Sequence, residues 1–300
     1  MKIYGRTLGG TVFDIVNYAF FALLIILCLY PFWYMLVYSI SEPSLAAKGI
    51  TLFPRGFTLF NYKKVMELEG IYNAFFISVM RTVTGTALSV FLNALLGYLF
   101  SRTEMPGRKF LYRMLLVTMY VSGGLIPYYL VIKNYGLLNN FFVYIIPGAI
   151  AAFNVILIKT FIESLPDSLQ ESAMLDGAGY FTIFSKIIMP LCLPIIATIA
   201  VFSAVGNWNS WFDNYIFVSS DNLRTLQLTL YEYLNEAQTL ARLLQESGNI
   251  EDYKRTMEKS LTPRGVQITV TMITTIPILL VYPYMQRFFI KGIMVGAIKG

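Results

Sequence analysis

The chain has 300 residues, of which 56% are hydrophobic and only 13% charged, with a formal net charge of +6 and no histidine. A soluble domain carries about a quarter charged residues, so a water-soluble fold of this length would expose large apolar areas; lipid as solvent removes that problem, and an all-α polytopic membrane protein is predicted. The positive charge then belongs to cytoplasmic loops rather than to a nucleic-acid surface, and the missing histidine removes the commonest general base and metal ligand.

Crossing about 30 Å of hydrocarbon takes about twenty helical residues, and six segments are long enough: 12–40, 72–100, 110–132, 139–162, 187–212 and 265–289. Lys2 and Arg6 make a positive start, but the apolar run Ile15–Ser41 is too long for a secretory signal and reads as a retained first span. Tyr30, Trp33, Tyr34 and Tyr38 gather at its outer end as an interfacial aromatic belt. Segment 41–71 is expected outside, with turn residues Pro43, Gly49, Pro54 and Gly56 and a short polar helix around Asn61–Glu67.

Arg81 lies within the second span, where a charge usually faces a bundle interior or a cavity. Asp213 or Glu67 reaches it only if it sits high in the membrane. The basic loop Ser101–Lys109, the N-terminus and the tail with Arg287, Lys291 and Lys299 share one side, which the positive-inside rule makes cytoplasmic. In the third span Gly123, Gly124 and Pro127 either kink the helix or allow close packing. Cys28 and Cys192 sit in apolar runs and read as small buried hydrophobes, with no disulfide or metal site indicated. The external segment 213–264 interleaves Leu, Tyr and charged residues over 226–246, either as a docking surface for an external partner or as a self-packed cap.

The cytoplasmic connection 163–190 carries the strongest signal. Ser164 is a candidate N-cap, Pro166 fits a first helical turn, and Asp167 favours the positive end of the helix dipole. Leu169, Ala173 and Met174 give a short helix one apolar or small face, which Gly177 and Gly179 break. A second short helix carries Phe181, Phe184, Ile187 and Ile188, and Pro190 marks entry to the fifth span. A helix–turn–helix of this kind is either a knob for a soluble partner or an amphipathic loop on the membrane.

Glu171-Ser172-Ala173, then Asp176-Gly177-Ala178, then Ile187 and Pro190, resemble in type and spacing the "EAA" coupling motif of binding-protein-dependent importer permeases. Ser172 in place of Ala and Met189 in place of Leu are mild departures. The ending Lys291–Gly300 and the pair Trp208-Asn209 are similar to carbohydrate-uptake permeases related to the smaller maltose permease subunit. The run Gly123–Asn139 is similar to a subgroup handling oligosaccharides.

The resemblance implies a single transmembrane domain over 1–300 in a bacterial cytoplasmic membrane, with alternating access driven from outside the chain. It implies four kinds of partner: a second homologous permease in a heterodimer, two ATPase subunits, an extracytoplasmic solute-binding protein, and the bilayer. ATP and Mg would be used by the ATPases; no GxxxxGK[ST] phosphate loop occurs here, and no cofactor is expected on this chain. Glu171 would contact the ATPase groove, Ala173 would allow close approach, and Asp176 and Gly177 would fix the bend. Asn207, Trp208, Asn209, Trp211, Asn214 and Tyr215 are residue types suited to a sugar path, and the Trp and Tyr equally suit an interfacial belt. Non-sugar cargo, such as a peptide or polyamine, fits the same architecture. A membrane-embedded transferase would need clustered acids near one interface, whereas the acids lie in the coupling loop and the external segment.

Overall fold

A computed structural model describes residues 8–46, 48–49, 52–235 and 263–297. In chain order its helices are α1 (Leu8–Ser39), α2 (Pro43–Ala46), α3 (Phe60–Met66), α4 (Ile71–Ser101), α5 (Arg108–Tyr120), α6 (Leu125–Asn134), α7 (Ala152–Glu163), α8 (Ser168–Leu175), α9 (Tyr180–Ile183), α10 (Met189–Leu191), α11 (Leu193–Asn209), α12 (Phe212–Phe217), α13 (226–235) and α14 (Pro263–Ala297). Among the described residues the only β-structure is an isolated bridge between Ser41 and Phe57. Two compact units result, one of residues 1–68 and 233–273, the other of residues 69–232 and 274–300.

In the first unit, α1 is exposed along its apolar length and becomes buried only at Val37–Ser39. A helix apolar all round needs lipid or another helix as neighbour. Its end is stitched to the segment that follows. The Asn61 amide donates to the Ser39 and Ser41 carbonyls at 3.0 and 3.1 Å. Tyr62 and Ser39 hydroxyls lie 2.9 Å apart, and the Trp33 indole N–H donates to the Leu52 carbonyl at 2.9 Å. The expected polar helix near Asn61 is α3, and it is this cap.

The second unit is built around α4. Every fourth residue on one face of α4 is small or polar: Arg81, Gly85, Ser89, Asn93, Gly97 and Ser101. Side chains four apart share a helix face, so this stripe is the seam on which the neighbours pack. A Cβ at Gly97 would lie 2.7 Å from the Ile158 side chain of α7, and one at Gly85 would lie 3.0 Å from the Asn207 amide of α11. Ser89 and Ser203 hydroxyls lie 3.2 Å apart. The stripe allows α7 and α11 to approach α4 closely, as small residues do within membranes.

Three of the six expected spans differ in form. The stretch 110–132 is two helices, α5 and α6, interrupted at 121–124, where Gly124 takes φ +81°. The glycine pair therefore breaks the third span. In 139–162 only a 3-10 turn, Phe141–Tyr144, and α7 are helical. The unwound 145–151 contains Pro147 and Gly148, and Asn93 serves its backbone: the amide donates to the Ala149 carbonyl at 2.9 Å and its oxygen accepts from the Ala151 N–H at 2.9 Å. Backbone groups away from water require such partners. In 187–212 the chain bends by 83° at Cys192, between α9–α10 and α11, with Pro194 in the first turn of α11. Among the described residues, α1, α4 and the Arg264–Pro283 part of α14 are long and apolar enough to cross a membrane as single helices, and the bent pair passes that test together.

Candidate functional site

The elbow 163–190 starts where α7 ends. Ser164 is the C-cap of α7, its hydroxyl donating back to the Phe161 carbonyl at 2.6 Å, and Asp167 is the N-cap of α8. The N-cap expected at Ser164 therefore lies three residues later, because Pro166 cannot continue α7 and opens the next turn instead. The Asp167 carbonyl accepts from the Gln170 and Glu171 N–H groups at 3.0 and 3.1 Å.

Gly177 ends α8 with φ +80°. The Ala178 N–H donates to the Ala173 carbonyl at 2.9 Å and the Gly177 N–H to the Met174 carbonyl at 3.0 Å. Those two bonds are a Schellman stop, which favours glycine at the left-handed position. Gly179 instead has φ −74° and caps α9 in an extended conformation. The second helix departs from a plain α-helix: Phe184–Ile188 is a π-helical stretch between α9 and α10.

One side of the elbow is welded to the second unit's core. Ala173, Ile183, Phe184 and Ile188 are buried with Ala94 and Tyr98 of α4 and Ile158 and Ile162 of α7, while Ala178 and Ile187 pack against this cluster partly buried. The Tyr98 and Phe184 rings lie 5.5 Å apart. Gln170 is also buried, and its carbonyl oxygen has no partner among the described residues.

The other side faces away from its own chain. Glu171, Ser172, Asp176 and Pro190 are exposed, and so are Leu169 and Met174, so that of the expected apolar or small face only Ala173 is buried. Phe181, expected on the same face as Phe184, is likewise exposed. Leu175 is 89% exposed and Phe181 68%. A short helix thus presents carboxylates and bare apolar side chains together.

The residues picked for a sugar path divide. Trp208 is buried, its indole N–H donating to the Thr274 carbonyl at 2.9 Å and its ring edge-on to Phe75 at 6.2 Å. Asn207 faces Gly85 and donates to the Ser203 carbonyl at 2.9 Å. Asn214 is fully buried, its oxygen accepting from the Thr225 N–H and hydroxyl at 2.8 and 3.1 Å. These three join the fold together. Asn209 and Tyr215 are exposed, and Trp211 is half-buried against Tyr231.

Arg81 is 3% exposed and forms an ion pair with Asp213. The same guanidinium donates to the Ser210 carbonyl at 3.1 Å and lies 4.7 Å from the centre of the Tyr144 ring. Tyr231, Gln227 and the α4 stripe escaped the sequence reading. The stripe is visible as Arg-x3-Gly-x3-Ser-x3-Asn-x3-Gly-x3-Ser, whereas nothing local links Tyr231 to a residue twenty positions earlier.

Residues 76–295 match the family of binding-protein-dependent transport system inner membrane components. The chain is 36% identical to the protein LplC of Bacillus subtilis over 98% of this chain and 97% of that one. It is also 36% identical to the polygalacturonan/rhamnogalacturonan transport system permease protein YtcP of the same organism, over 96% and 98% of the two chains. Among solved structures, a bacterial ABC transporter involved in import of the acidic polysaccharide alginate superposes with TM-score 0.83 at 26% identity, covering 96% of this chain and all of that one.

Proposed function

The chain belongs to the family of inner membrane components of binding-protein-dependent transport systems, and from that premise we propose that it is the permease subunit of an ATP-driven importer of oligosaccharides. It is a multi-pass protein of the inner membrane, as its family and its apolar helices require. Its termini lie in the cytoplasm, which places the elbow there too. α5 with α6, and the Phe141–Tyr144 turn with α7, complete six crossings as broken spans. The chain has no ATPase site of its own. Two separate ATPase subunits bind ATP and Mg, a second homologous permease completes the path, and an extracytoplasmic binding protein delivers the cargo.

The observation that carries this reading is the two-sided elbow. Ala173, Ile183, Phe184 and Ile188 fix it to α4 and α7, while Glu171, Ser172, Leu175 and Asp176 face outward. A force applied to the outward side reaches α4 and α7 directly, because a packed core transmits displacement. ATP then shifts the population between inward- and outward-open states through contacts that differ between them. Oligosaccharide cargo is supported by YtcP, a polygalacturonan/rhamnogalacturonan permease, and by the alginate importer.

Two experiments test the two halves. A cysteine at Glu171 should cross-link to the ATPase subunit in the assembled complex, and a cysteine at exposed Tyr135 should not; equal cross-linking of both removes the coupling assignment. Calorimetry on the cognate external binding protein should give heat with an oligouronide or neutral oligosaccharide and none with peptides or polyamines. The reverse pattern overturns the cargo.

A further inference from the structure

We propose that Trp211, Tyr215 and Tyr231 form a corner that stacks one pyranose ring of the cargo, with Asn209 and Gln227 reading its hydroxyls; this rests on the oligosaccharide reading above. The Trp211 and Tyr231 rings are parallel within 16° at 4.0 Å. Tyr215 stands across both, 6.1 Å from Trp211 at 61° and 5.9 Å from Tyr231 at 70°. Tyr215 thus stands against the side of the stacked pair, and it is 56% exposed. The electron-rich face of an aromatic ring attracts the weakly positive C–H face of a sugar.

The polar groups beside the rings are neutral. Gln227 donates to the Asn209 oxygen at 3.3 Å, and the Asn209 amide donates to the Val205 carbonyl at 3.0 Å, which leaves the Gln227 carbonyl oxygen available. The Trp211 indole N–H donates to no described residue. Among the described residues, the charges of the adjoining segments are already engaged, Asp213 by Arg81, and Arg224 by Asp221 and Glu232. The corner therefore recognises ring faces and hydroxyls and is indifferent to a carboxylate, so it takes uronic and neutral pyranosides alike.

An interfacial belt needs no fixed geometry between its rings, but this cluster is held from both sides. Arg81 grips the Ser210 carbonyl and Asp213 on either side of Trp211. The Asn214 side chain accepts from Thr225, and the Ser78 hydroxyl accepts from the Leu226 N–H at 2.8 Å, anchoring the start of α13, which carries Tyr231. Two ring-bearing segments far apart in sequence are thus pre-positioned by buried polar contacts, as a binding site requires.

The full-length chain with Trp33→Phe, in lipid nanodiscs, leaves buried Trp208 and half-exposed Trp211 as the fluorophores. Titration with trigalacturonate and with cellotriose should each give saturable quenching, with midpoints within threefold of one another. Adding Trp211→Phe should abolish the response. Tyr215→Leu alters an exposed ring that the fold does not require, and should raise both midpoints about tenfold. No response to either sugar, or a response to trigalacturonate alone, overturns the corner. ATP-dependent import of trigalacturonate by the reconstituted assembly separates the two readings: import with unchanged KM in Tyr215→Leu sinks the corner and keeps the importer. Import that ignores the ATPases sinks the importer itself.

Discussion

Arg81 of α4 and Asp213 at the start of α12 pair across 132 residues of sequence. The pair ties together one end of the second unit, because the same guanidinium also holds the Ser210 carbonyl at the end of α11 and lies over Tyr144. Tyr144 in turn donates to the Leu223 carbonyl at 2.7 Å. Segments near 144, 210–214 and 223 therefore converge on one buried cation.

Breaking the pair should cost most where it leaves the more buried charge alone. Asp213→Asn leaves the 3%-exposed guanidinium without its counter-charge and should destabilise the purified chain by about 3–5 kcal/mol. Arg81→Met should cost less, about 1–3 kcal/mol, since the carboxylate it leaves is 24% exposed and still accepts from the Ser210 hydroxyl and the Asn214 N–H. The double variant should recover part of the loss, with an interaction energy of about 1–3 kcal/mol. Thermal unfolding in detergent measures all three; strict additivity contradicts the pairing.

Gly97 should tolerate no side chain. Gly97→Val places methyl groups into Ile158, and overpacking of this kind costs about 1–3 kcal/mol at a site where even a Cβ falls 2.7 Å from that side chain. Ile158→Ala in the same chain should restore part of the unfolding midpoint. Failure of that rescue would place the strain elsewhere.

The sequence made the helical membrane character, the elbow and its glycine stop legible, because long apolar runs and Gly177 each follow from local chemistry. Arg81 stood out as a buried charge, yet its partner stayed open, since α11 ends at Asn209 and the chain turns back through Ser210 only in three dimensions. The breaks at 121–124 and 145–151 lie in runs as apolar as true spans, so hydropathy reads through them. Hydropathy also hides the role of Asn93, a polar residue whose partners are backbone groups 56 and 58 positions away. For Leu169 and Phe181 spacing gave the face and not its surroundings: an apolar face needs covering, and the cover can be another protein.

Asn93→Leu should leave the Ala149 carbonyl and the Ala151 N–H without partners. Each buried group left unpaired costs about 1–3 kcal/mol, so the variant should unfold well below the parent while still inserting. Hydrogen exchange at 149–151 should rise selectively. Unchanged protection there contradicts the stitching role.

Gly177 should respond to backbone geometry alone, because no atom lies within 4 Å of where a Cβ would stand. Gly177→Ala forces a left-handed alanine, at about 1–2 kcal/mol, and should weaken co-purification on a tagged ATPase. Gly177→Asn should be milder, since asparagine tolerates that region. Gly177→Pro should abolish co-purification while the chain stays in the membrane. Wild-type recovery of the proline variant would count against the elbow as the coupling element.

Reconstitution in proteoliposomes addresses the central proposal most directly. Vesicles holding both permeases should accumulate labelled trigalacturonate or cellotriose only when the ATPases, ATP and the cargo-loaded binding protein are all present, and Gly177→Pro should remove that uptake. Uptake by the permeases alone, undiminished without ATPase or ATP, would contradict it.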